Sequence, residues 1–176
     1  MKICILSDSH DNRALLAAAV SLARDAGAEA VLHCGDVVAP STLAVLEPVG
    51  LPVHIVHGNN VGDQVTLMRM AHRRDSVVHY YGQDADLVLG GRRVFMVHYP
   101  HYARGMAATG DWDVVCCGHS HQASIGRVPN VKGGHTVLIN PGTVGGIDAP
   151  ATFVLGDLTT LDFEVHDLPL GVAATG

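Results

Sequence analysis

A chain of 176 residues, 48 % hydrophobic and only 16 % charged, holds about one domain and is too apolar for intrinsic disorder. No apolar run approaches the ~20 residues of a membrane helix, so no membrane association is expected. The net charge of −6 has the wrong sign for general nucleic-acid backbone binding.

The elements follow in chain order. Met1-Lys2 lead straight into an apolar run, Ile3 to Leu6, with no signal-peptide layout. A cytoplasmic protein is expected, with Cys4, Cys34, Cys116 and Cys117 as buried thiols. A helical stripe of Leu15, Leu16, Ala19, Leu22 and Ala23 fills 12–26, with Asp11 as the expected N-cap and Gly27 as the stop. Strands are expected at 30–33 and 53–56, with a short helix after Pro40 between them and weak helicity over 64–72. Strands at 77–80, 86–89 and 94–97, a helix over 103–109 and a strand at 114–117 come next. The last third reads as a strand meander: 124–128, 136–139, 152–156 and 161–165. Strand–helix alternation followed by a meander predicts a single domain over 1–176, with mixed sheets covered by helices.

The residues that follow certain strands carry the chemistry. Asp8 and His10 follow the first strand, Gly35-Asp36 the second, and Gly58-Asn59 the third. His98 follows the strand at 94–97, and Gly118-His119-Ser120-His121 the one at 114–117. In open α/β sheets, functional groups gather at the carboxyl ends of strands. If these ends share one edge, Asp8, His10, Asp36, Asn59, His98, His119 and His121 converge. That carboxylate, imidazole and amide set suits divalent Mn, Fe, Co, Ni or Zn. The chain also has 12 histidines against 11 lysines and arginines, an excess that points to metal ligation or proton transfer.

The order D-x-H, G-D, G-N, H, G-H-x-H resembles the calcineurin-like metallophosphoesterase superfamily. Asn140-Pro141-Gly142-Thr143 and the length resemble its small bacterial and archaeal phosphodiesterase branch. The resemblance implies an α/β fold, a four-layer α-β-β-α sandwich of two mixed sheets. It implies two divalent ions per chain, manganese foremost, with Ni, Fe, Co or Zn as alternatives. Asp8, His10 and His121 would hold one ion; Asn59, His98 and His119 the other; Asp36 would bridge them. All seven would then be catalytic as well as metal-binding. A metal-bridging hydroxide would attack a small phosphoester, most readily a diester. Self-association, common in this branch, is a further expectation.

The chain departs from the family pattern around the leaving-group acid. Where larger members read G-N-H-E, this chain has Asn60, which cannot serve as a general acid. Asp63 stands two residues late for the small branch's G-N-x-D. His101 is then a candidate acid, and Tyr99 and Arg104 are candidate substrate contacts. His33, before Cys34-Gly35-Asp36, is a candidate support for the ligands. His54, His57, His72, His79, His135 and His166 read as structural or surface. The alternative function is a catalytically silent scaffold for protein–protein interaction on the same fold, like the retromer trafficking subunit. The filled ligand set argues against it.

Overall fold

The computed structural model describes residues 1–168. Its elements are β1 (Lys2–Leu6), α1 (Arg13–Asp25), β2 (Ala30–His33), β3 (Val53–Ile55), α2 (Gln64–Ala71), β4 (Val78–Tyr80), β5 (Asp84–Leu89), β6 (Arg92–Val97), α3 (Pro100–Thr109), β7 (Val114–Cys116), β8 (Ala123–Pro129), β9 (His135–Pro141), β10 (Thr152–Asp157) and β11 (Asp162–Asp167). The segment after Pro40 is a 3-10 turn, Pro40–Val45. One sheet runs β11-β10-β1-β2-β3-β4, the other β5-β6-β7-β9-β8. In the first sheet β1, β2, β3 and β4 are parallel out to the edge, with β10 and β11 added antiparallel on the other side; in the second, parallel β6, β7 and β9 are flanked by antiparallel β5 and β8.

Three apolar clusters define four layers. Ile3, Ile5, Ala30 and Leu32 meet Val94, Met96, Val114 and Ile139 between the sheets. The alternate residues Cys4, Leu6 and Val31 face α1 and α2 with Leu16, Ala19, Val20 and Leu67. On the far side α3 packs Ala103 and Ala107 on Phe95, Val97 and Val115. Successive strand residues point to opposite faces, so Ile3–Leu6 of β1 and Ala30–Leu32 of β2, covered on both, are apolar without interruption. Truncating Leu32, which is fully buried, costs about 2–5 kcal/mol by the transfer and cavity terms.

Local chemistry moves some boundaries. Asp11 does not cap α1; Asn12 does, accepting from Leu15 N at 3.3 Å. The Asp11 carboxylate instead accepts from Ala39 N at 2.8 Å and Thr42 Oγ1 at 2.6 Å, pinning the loop after Asp36. Helix α3 starts at Pro100, three residues before its apolar stripe, because proline's fixed φ suits a first helical position. The four cysteines are free and buried, and burial pushes the Cys117 thiol up to about 12. Among the described residues no helix is long and apolar enough to cross a membrane.

Candidate metal centre

Strands β1, β2, β3, β6 and β7 all deliver their following loops to one edge of the sandwich. The loops are tight. Asp8, His10, Asp36, His119 and His121 all have positive φ, between 42° and 69°. Each such non-glycine residue costs about 1–3 kcal/mol, a strain concentrated at functional sites. Main-chain bonds hold them there: Asp8 N to Gly35 O at 2.9 Å and His10 N to Asp36 O at 3.0 Å. Gly58 and Gly118 are required by close approach. A Cβ on the first would overlap Asp36 Oδ1, and one on the second would overlap Ser7 Oγ.

The structure brings the seven candidate ligands together. His10 Nε2 lies 3.8 Å from Asp8 Oδ1 and 3.6 Å from Asp36 Oδ2. His121 Nε2 lies 3.3 Å from Asp8 Oδ1 and 3.4 Å from His10 Nε2. His98 Nε2 lies 3.6 Å from Asp36 Oδ1 and 3.0 Å from Asn59 Oδ1. His119 Nδ1 is 2.8 Å from the same Asn59 oxygen. Two groups of donor atoms fall within 4.8 Å of one another, Asp8/His10/His121 and Asp8/Asp36/His98.

The donor set fits a cation. Asp8 and Asp36 are 0 % and 2 % exposed, and among the described residues the basic groups within 4.0 Å of them are imidazoles, not Lys or Arg. Buried charge without a partner is costly, and Asp8 Oδ1 has no hydrogen-bond partner at all. The histidines are oriented for ligation. His98 Nδ1 donates to Cys34 O at 2.8 Å, and His121 Nδ1 to Ile147 O at 3.0 Å. In the neutral imidazole, that leaves each Nε2 with a lone pair aimed at other acceptors. This is how carbonyl-anchored metal histidines are arranged.

A ring of polar residues supports the ligands. His33, fully buried, takes Gly35 N–H on Nδ1 at 3.3 Å and donates through Nε2 to Ser9 Oγ at 3.1 Å. Ser9 Oγ in turn donates to Asp36 O at 3.5 Å. Burial, then the neighbouring His98, pushes the His33 pKa down to about 3, so its ring stays neutral. Sequence reasoning missed the roles of Asn140 and Thr143. Asn140 Nδ2 grips Gly118 O at 2.8 Å and Ser120 Oγ at 3.0 Å, and Thr143 Oγ1 donates to Asp8 O at 2.9 Å. Their signal was the polar pair in Asn140-Pro141-Gly142-Thr143, at the end of a mostly buried strand.

The remaining candidates separate. The Tyr99 ring stands edge-on to His98 and His119, with centroids 5.2 Å from each. His101 is exposed, 5.7 Å from the Tyr99 ring. Arg104 lies apart, in a groove between α3 and β8 with Ser124 and Gly126. Asp63 caps α2, accepting from Thr66 N at 3.0 Å. Asn60 turns toward Asp36: its main-chain N and its Nδ2 donate to Oδ1 at 2.8 Å and Oδ2 at 2.6 Å.

A fold of four layers with buried Asp and His clustered at one edge is that of a metallophosphoesterase domain. The chain belongs to the calcineurin-like phosphoesterase superfamily, whose domain model matches residues 1–161. It is 28 % identical over 147 residues to phosphodiesterase MJ0936 of Methanocaldococcus jannaschii, covering 81 % of this chain and 83 % of that protein. Among solved structures, an archaeal phosphodiesterase superposes with a TM-score of 0.82 at 24 % identity, over 96 % of this chain and 100 % of that one. Vps29 of Chaetomium thermophilum gives 0.66 at 17 % identity, over 96 % and 97 %.

Proposed function

We propose that this protein hydrolyses phosphodiesters at a centre of two divalent ions, and that the whole chain, 1–176, is one such domain working in the cytoplasm. Superfamily membership makes it a metal-dependent phosphoesterase. The diester preference is drawn from its likeness to an archaeal phosphodiesterase. Asp8, His10 and His121 would hold one ion, and Asn59, His98 and His119 the other. Asp36 is the better bridge. Its two oxygens face imidazoles of opposite halves, Oδ2 toward His10 and Oδ1 toward His98, each also accepting from Asn60, whereas the imidazoles near Asp8 all gather on its Oδ1.

Such ions would supply Lewis-acid polarisation of a phosphoryl oxygen and a lowered pKa for a bound water. Manganese is the first choice, and the ligand set also accepts Ni, Fe, Co or Zn. The protein's own part is placement. Carbonyl anchors orient His98 and His121, the Asn140 grip shapes the 118–121 loop, and the Tyr99 ring stands edge-on against His98 and His119. His119 and Asn59 are exposed, so a small phosphoester reaches the centre from solvent. A homo-oligomer would have to leave this edge open.

The single observation that carries the proposal is the orphaned Asp8 Oδ1, buried among three imidazoles with no hydrogen-bond donor. The test is hydrolysis of bis(nitrophenyl) phosphate, nitrophenyl phosphate and cyclic nucleotides with Mn²⁺ added. Diester turnover above monoester turnover, abolished by Asp36→Asn, is expected. Silence toward every ester with the ions bound would favour the protein-binding scaffold that the likeness to Vps29 raises.

A further inference from the structure

Asn60 follows Asn59 at the position where the superfamily's larger members carry an acid, and its side chain is engaged elsewhere. A carboxylate can only accept hydrogen bonds, so the Asn60 amide must present its NH₂ to Asp36. The two Asn60 donors are divided between the two oxygens: main-chain N–H on Oδ1, side-chain NH₂ on Oδ2. Each oxygen keeps a further lone pair, Oδ1 toward His98 and Oδ2 toward His10.

The loop that carries Asn60 is itself pinned. Val61 pairs with Val38 in a β-bridge, and a Cβ on Gly62 would overlap Val38 O. The loops after β2 and β3 are thereby tied together beside Asn60 and the carboxylate it holds.

We propose that Asn60 is a positioning residue, a two-point clamp that sets the plane of the Asp36 carboxylate so that one oxygen faces each half of the dinuclear site. The inference rests on the two-ion reading of the site and adds an asymmetry to it. The side-chain NH₂ sets Oδ2, the oxygen on the His10 half; the main-chain N–H, which substitution leaves in place, sets Oδ1 on the His98 half. Removing the amide should loosen one ion and spare the other. Loss of a group that orients a ligand typically weakens metal affinity by about 10–100-fold.

The experiment is calorimetric Mn²⁺ titration of the metal-stripped full chain as wild type, Asn60→Ala and Asn60→Asp, with melting of each stripped protein as the check on folding. Asn60→Asp keeps the shape but sets a second carboxylate against Asp36. In both variants one ion should bind with wild-type affinity and the other about 10–100-fold more weakly, and exchange coupling in the two-manganese electron paramagnetic resonance spectrum should change. Two ions binding to both variants as to wild type would overturn the clamp. Equal weakening of both ions in Asn60→Ala, with a lowered melting temperature, would also overturn it, showing a general structural role. A wild-type chain that takes fewer than two ions would instead refute the two-ion reading itself.

Discussion

His98 Nδ1 donates a 2.8 Å hydrogen bond to the carbonyl oxygen of Cys34, tying the end of β6 to the end of β2 across the two sheets. His98 is fully buried, whereas His119, also beside Asn59, is exposed. Their replacement by alanine should separate stability from metal binding. His98→Ala orphans a buried carbonyl, at about 1–3 kcal/mol, and adds a cavity cost. His119→Ala should stay within about 0.5 kcal/mol of wild type, as surface changes do. Urea unfolding in the presence of a chelator measures both, and equal losses would contradict the buried anchor. Both variants should bind Mn²⁺ more weakly.

Asp8→Asn should do the reverse. Removing a buried charge whose Oδ1 has no hydrogen-bond partner should leave the metal-free protein at least as stable as wild type. Wild type should be stabilised by Mn²⁺, by about 2.7 kcal/mol at a hundredfold excess over Kd, and Asp8→Asn should not. Melting curves with and without Mn²⁺ make the comparison. A wild-type-sized shift in the variant would remove Asp8 from the ligand set.

Five loops could be found from sequence because each ligand follows a short, largely buried strand, such as Ile3–Leu6 or Val94–Val97. Nothing local marks what a residue grips across the fold. Asp11 reads as a helix cap until its carboxylate is seen on Ala39 and Thr42, which arrive from another loop. Asn60 reads as a missing acid until the loop after β3 is folded against the loop after β2. The partners of Asn140 lie 20 and 22 residues away, reached only once β7 and β9 pair.

With Asn60 bound to Asp36 and Asp63 capping α2, neither supplies a proton to the leaving oxygen. General acid catalysis is worth about 10²–10⁴-fold, and esters with poor leaving groups should lose that factor. kcat/KM across a series of aryl and alkyl diesters should fall steeply as leaving-group pKa rises. A flat series would mean an acid is present, and His101→Ala would then be the variant that abolishes it.

His54 links metal-independent stability to pH. Burial, then the stacked His79, pushes its pKa down from 6.5 to about 4. The unfolded chain takes up this proton near 6.5 and the folded protein only near 4. Its contribution is therefore intact above 6.5 and is lost progressively as the pH falls toward 4. His54→Phe, which keeps a ring against His79 and Tyr81, should make the melting temperature of the chelated protein fall less steeply across that window, the remaining slope coming in part from buried His33. An unchanged slope would place the acid sensitivity elsewhere.

The two-ion centre is tested most directly by elemental analysis of protein equilibrated with saturating Mn²⁺ and freed of unbound metal. Seven converging ligands predict close to two ions per chain, falling well below two in Asp36→Asn. One ion or none in the wild-type chain would contradict the dinuclear centre.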